Sequence, residues 1–242
     1  MPKKINFDWS SLDRKQLINF FYNIYPEVTE KEISITQFHK LISKHVKMKL
    51  PVIIRKKWEK RSDINMVYVG GTYYRDLDKA HQKCIEIEIF YKFGETTLLL
   101  SKQGFRRICC LIADTILHEI IHMRQYRRRK FKILPDYAST AEKTSQRQEQ
   151  EYLGHSDEID AYSFNIACDL MSKFRNNQKQ VINYLNKKRF QRRDWNNWKS
   201  YLLAFDKNHN HPIIKRLKQK IVKYLPNTIL GKPYKSKDWI NH

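Results

Sequence analysis

The chain is poor in the residues that interrupt structure. It has only six glycines and seven prolines in 242 residues, which excludes a collagen-like tract and a flexible low-complexity linker. No segment of 20–50 residues recurs as a repeat. The four cysteines, Cys84, Cys109, Cys110 and Cys168, have neither C-x-x-C spacing nor the pattern of a disulfide framework. They read as small buried hydrophobes. No apolar run approaches the roughly 18 residues that a membrane span needs, and Met1-Pro2-Lys3-Lys4 leads into no signal-peptide core. These absences predict a soluble protein that is not secreted and is kept in a cytoplasm-like compartment.

Negative charge is scarce too. Lys and Arg number 47 against 25 acids, a formal net charge of +22. Such a field draws polyanions: nucleic acid, acidic proteins or an anionic surface. The excess is uneven. From Ser172 to His242 there are 18 Lys and Arg against three acids, so +15 of the +22 falls in the last 71 residues. The 41% apolar and 13% aromatic content rules out wholesale disorder.

Patterning along the chain predicts helices first. One spans about residues 10–24, with Ser10-Ser11 at its start and Pro26 just past its end. A second is expected after Thr29, where Thr29-Glu30-Lys31-Glu32 has capping-box spacing. Its apolar residues are Ile33, Phe38, Leu41, Ile42 and Val46. Strands follow. Val52-Ile53-Ile54 after Pro51 suits a sheet edge, and Met66–Val69 is expected to end at a Gly70-Gly71 turn, with Thr72–Tyr74 beyond it. Cys84–Tyr91 alternates, with Ile85, Ile87 and Ile89 on one side, and is the natural strand for an extended peptide to join. A long helix covers Phe105 to about Arg128. A polar stretch separates it from another helix beginning near Ser156, and short basic helices rich in aromatics close the chain.

The long helix carries His118-Glu119-Ile120-Ile121-His122. Residues i and i+4 lie about 40° apart around an α-helix, so both imidazoles project from one face, a turn apart. That places two nitrogens on one tetrahedral zinc and leaves Glu119 beside it as general base, taking a proton from water and passing it to a leaving amine. A third ligand is required. In Gly154-His155-Ser156-Asp157-Glu158-Ile159-Asp160-Ala161-Tyr162, Glu158 falls in the first turn of the next helix. It is offset by about 100° from Ile159, so it can face the zinc helix while Ile159 enters the core. Ala161 on the same side permits close approach. His155 is the rival ligand, and Asp157, Asp160 and Glu151 are also suitable donors.

His118–His122 followed by a helical Glu158 and Ala161 resembles the gluzincin branch of the zincin metallopeptidases, and the form H-E-I-I-H…D-E-I-D-A-Y also resembles zincins encoded by tailed bacteriophages. The resemblance covers about residues 50–175. It implies His118, His122 and Glu158 as zinc ligands and Glu119 as general base, in a host cytoplasm or a virion. Where the gluzincin pattern has an aspartate four residues after the ligand glutamate, this chain has Tyr162. Orientation of the imidazoles must then come from elsewhere, and Asp114, one turn before His118, is the candidate. Tyr162 has two readings, packing or a hydrogen bond to the tetrahedral oxyanion. Gly154-His155 gives the chain a likeness to the SprT/Spartan-like proteases, which act on proteins crosslinked to DNA.

The expected fold class is α+β: a small antiparallel sheet packed on a zinc-binding helix and a following glutamate helix. Residues 1–48 form a helical N-terminal region, 49–175 the zincin-like core and 176–242 a basic, aromatic-rich helical region. Positive charge at a helix C-terminus is favoured by the macrodipole, but the cluster Arg124, Arg127, Arg128, Arg129, Lys130 and Lys132 exceeds that need. With Lys187, Lys188, Arg189, Arg192, Arg193, Lys215 and Arg216 it is the candidate nucleic-acid surface, since basic groups neutralise phosphates. Two functions follow as expectations: a zinc peptidase with a protein or peptide substrate, working near nucleic acid; or a nucleic-acid-binding or virion structural protein with an inactive or regulatory zincin fold.

Overall fold

The computed structural model describes residues 14–47, 52–59, 67–134, 145–187 and 197–225. The chain forms an α+β fold with two compact units, and the division falls between Met123 and Arg124, inside one unbroken helix. Among the described residues no helix is long and apolar enough to cross a membrane.

The first unit holds α1 (Arg14–Tyr22), α2 (Tyr25–Val28), β1 (Glu32–Ser34), α3 (Ile35–Lys47), β2 (Val52–Glu59), β3 (Tyr68–Tyr73), α4 (Arg75–Lys79), β4 (Ile85–Lys92), β5 (Thr97–Leu99) and most of α5 (Lys102–Arg128). Ile85, Ile87, Ile89 and Tyr91 of β4 are buried, as the alternation requires of a strand with one face on the core. Phe38 of α3 meets Tyr91 and Phe105 edge-on, with centroids 6.4 and 6.3 Å apart. On α5, Phe105, Ile108, Ile112, Ile116 and Ile120 follow the helical period and are all buried.

Three sequence expectations are corrected here. The sheet is mixed, with strand order β2-β4-β3: β4 runs antiparallel to β3 but parallel to β2. The β3–α4–β4 segment folds back on itself, which leaves the earlier β2 to align along the other side of β4. The alternating strand β4 is therefore central rather than an edge, and among the described residues the edges are β2 and β3. Secondly, β3 does not stop at the glycine pair; Gly70 and Gly71 lie within it, opposite Glu88 and Ile87. Thirdly, no helix starts at Thr29. Ile33 belongs to β1, which pairs with β5, and Ser34 caps α3 instead, its Oγ accepting from the Gln37 N–H at 3.1 Å. Backbone pairing with β5 satisfies more groups than one local cap.

The second unit holds the end of α5, then α6 (Ser145–Gly154), α7 (Ser156–Lys173), α8 (Gln178–Asn186), α9 (Asn197–Ala204) and α10 (Pro212–Tyr224). Twelve of the 18 residues of α7 are buried, so it is the central helix. Ile159, Ile166 and Leu170 share one core with Val181, Leu185, Trp198, Leu202, Ile214, Leu217 and Ile221. The basic helices thus close over the glutamate helix. Scarce glycine leaves a mark: α5, α7 and α9 are each followed by two non-glycine residues with positive φ, namely Lys130-Phe131, Arg175-Asn176 and Asp206-Lys207. Each such residue costs about 1–2 kcal/mol, which the surrounding packing offsets.

Candidate metal centre

Helix α5 presents different rows of side chains to different neighbours, because i, i+4 and i+7 positions share a face. Thr115, Glu119 and Met123 form the row toward the sheet. Met123 Sδ lies 4.0 Å from Cys84 Sγ. A Cβ at Gly71 would stand 2.5 Å from Thr115 Cγ2 and 2.9 Å from Glu119 Oε1. No side chain fits there, and this is the close backbone approach that a glycine inside a strand signals. Glu119 is buried, as are His118 and His122. The two imidazoles are one turn apart, with Nε2 atoms separated by 3.1 Å and rings at 77°.

The row of His118 and His122 continues through Gln125 and Arg129. These two residues hold the start of α7. Arg129 Nη1 and Nη2 donate to Asp157 Oδ1 and Oδ2, both at 2.7 Å, a two-pronged pair that fixes orientation as well as distance. Gln125 Nε2 donates to the Asp157 carbonyl at 3.2 Å and to Asp160 Oδ2 at 3.4 Å. His155 is the N-cap of α7, its Nδ1 accepting from the Asp157 N–H at 3.2 Å. Glu158, the next residue, is buried.

Around Glu158 stand three tyrosines from three helices. The Tyr152 phenol of α6 bonds to Glu158 and Tyr162. Tyr152 is 45% exposed as a residue, but its hydroxyl end is turned inward. Burial of that end, then the Glu158 carboxylate and Tyr162, push its pKa far above the usual phenol value. Tyr162 and Tyr201 pack edge-to-face at 5.6 Å. Burial, with Tyr162 and Glu158 nearby, raises the Tyr201 phenol in the same way.

One nitrogen from each of His118 and His122 and one carboxylate oxygen of Glu158 lie within 4.8 Å of one another, and all three residues are buried. Two imidazoles and a carboxylate form a known donor set for catalytic zinc. Bonds of about 2.0–2.1 Å to a tetrahedral ion put two ligand atoms roughly 3.3 Å apart, close to the 3.1 Å between the imidazole nitrogens. The donor types therefore suit a zinc ion.

Of the other expected site residues, Tyr162 lies beside Glu158, but His155 serves as a helix cap and is not in the converging group. Asp114 receives Arg14 on both oxygens, at 2.6 and 2.8 Å, and these bonds fasten α1 to α5. Arg129, expected at a nucleic-acid surface, is instead committed to Asp157. Arg127, Arg128, Lys187, Lys215 and Arg216 are exposed. Lys188, Arg189, Arg192 and Arg193 lie outside the described residues. Sequence reasoning missed Gln125, Arg129, Tyr152 and Gly71 as parts of the site. Extending the histidine row by one and two turns would have found the first two, and the glycine pair within a strand the last; Tyr152 gave no signal. No protein-family model, curated protein or solved structure matches this chain.

Proposed function

We propose that the chain is a zinc-dependent peptidase. The observation that carries the reading is the buried group formed by His118 and His122 of α5 with Glu158 of α7, next to a buried Glu119. His118, His122 and Glu158 would hold the ion. A bound zinc supplies Lewis acidity toward a carbonyl and makes water a better nucleophile at neutral pH.

The protein's own groups have separate tasks. Glu119 accepts the proton of the attacking water on its carboxylate and returns it to the departing amine nitrogen. Gly71 brings the β3 backbone against Glu119 and so confines that carboxylate. Among the described residues β3 pairs only with β4, so its outer edge can take an extended peptide as an added strand, running past Glu119. Tyr152 and Tyr162 orient Glu158, and Tyr162 is the donor assigned to a developing oxyanion.

The test is metal content by elemental analysis after purification and zinc reconstitution. The expected result is one zinc per chain, lost in both His118→Ala and Glu158→Ala, with peptide-library cleavage by the wild type. A wild-type chain that takes up no zinc would sink the reading. The charge of +22 favours a second reading, a nucleic-acid-binding or virion structural protein in which this site is inactive or regulatory. Stoichiometric zinc with no cleavage of any protein, in the presence or absence of nucleic acid, would select it. Cleavage stimulated by nucleic acid would instead select a protease acting on DNA-bound proteins.

A further inference from the structure

Helix α10, Pro212–Tyr224, has two unlike faces and no acidic residue. Ile214, Leu217 and Ile221 are buried in the core that α7 organises. Lys215, Arg216 and Lys223 are exposed, and none of the three has an ion-pair partner among the described residues. A helix that only needed solubility would interleave both signs of charge.

The same unit brings a second basic segment to this helix from about 90 residues earlier in the chain. Asp160 of α7 is the meeting point. Lys220 Nζ and Tyr224 Oη both donate to Asp160 Oδ1 at 2.9 Å, and Gln125, at the end of α5, donates to its Oδ2. The shared carboxylate brings the end of α5, where Arg124 and Arg128 stand, to the C-terminal part of α10, and both arginines act electrostatically on Tyr224. The arginine cluster of α5 and the basic row of α10 therefore belong to one positive surface, a union invisible in sequence.

We propose that this surface binds the phosphate backbone of duplex nucleic acid, with Lys215, Arg216 and Lys223 as its principal phosphate contacts. Three observations select this partner. A protein interface needs apolar or aromatic anchors at its centre, and Val222 is the one large hydrophobic exposed on α10 among the described residues. An amphipathic helix binds a membrane by burying its apolar face in lipid, but that face of α10 is already within the core. Single-strand binders stack bases on aromatic platforms, and α10 exposes none. What remains is charge. From Lys215 to Lys223 the helix rises about 12 Å, the axial length of roughly three phosphates of one strand. Contacts made to phosphates carry no sequence information, so this binding is indifferent to sequence. The inference holds whether or not the chain cleaves peptides.

The experiment uses the full-length chain, a labelled 20-base-pair DNA duplex of random sequence and fluorescence anisotropy across a salt series. The triple variant Lys215→Glu, Arg216→Glu, Lys223→Glu should lower affinity at least about tenfold near 0.15 M salt. The matching triple glutamine variant should flatten the log–log salt slope by about 2–3, at 0.9 per lost phosphate contact. Lys40→Glu with Lys44→Glu, on α3, should leave affinity within twofold. Should the glutamate variant fail to fold by circular dichroism, the glutamine variant decides. Glu119→Gln should bind the duplex as the wild type does, which separates this inference from the peptidase reading. Absence of salt-sensitive duplex binding would overturn the proposal. So would unchanged affinity in both triple variants, tighter binding of a single strand, or equally tight binding of polyglutamate or phosphatidylserine vesicles.

Discussion

The two halves of the candidate metal centre are supported in different ways. His118 and His122 are adjacent turns of one long helix, and helical geometry alone brings their nitrogens to 3.1 Å. Glu158 comes from another helix, and its surroundings are set by polar groups from several elements: Arg129 on Asp157, Gln125 on the Asp157 carbonyl, the His155 cap, and the Tyr152 phenol. A ligand pair fixed by secondary structure needs little help. A ligand delivered across helices needs a frame, because an error of 1 Å there is not corrected by local geometry.

That contrast can be broken from several directions. Glu119→Gln removes the proton acceptor and nothing that binds metal, so cleavage should fall about 10³-fold with zinc content unchanged; loss of zinc would show that Glu119 is a ligand. Gly71→Ala forces a Cβ into Thr115 and Glu119, and should lower kcat by about 10²-fold with stoichiometric zinc retained. Arg129→Met cuts the frame of the glutamate half. It should weaken zinc affinity about 10–100-fold, measured by competition with a chelator, and an affinity within twofold of wild type would refute the frame. Arg14→Met cuts the ion pair on the histidine side. It should leave zinc affinity within twofold while destabilising the fold by about 1–3 kcal/mol, read from urea unfolding. Equal effects of the last two variants on zinc would erase the distinction between the halves.

What could be read from sequence follows the same divide. The alternation of β4, the apolar row of α5 and the start of α7 near Ser156 are local patterns, and the structure has all three. The short strand β1, the parallel pairing of β2 with β4 and the helix α6 are not legible locally. Glu32–Ser34 is a strand because β5 accepts it. Residues 145–154 carry polar side chains almost throughout, yet Leu153 reaches the second unit's core and Gln150 Nε2 donates to the Ala204 carbonyl at 2.7 Å. Tertiary contacts decide such segments. At the site, the histidines and Glu158 stood out as donor types at helical spacing. Of their supports, Arg129 lies on the extended histidine row, whereas Tyr152 comes from a separate helix and no local pattern marks it.

The close approach at Gly71 also constrains how this protein can change over generations. Thr115 Cγ2 and Glu119 Oε1 both occupy the space a Cβ would need. Shedding the methyl of Thr115, as in Thr115→Ser, clears only one of the two obstructions. A lineage can therefore admit alanine at position 71 only once positions 115 and 119 have both yielded. The three positions should drift as one linked set, with position 71 the last to change.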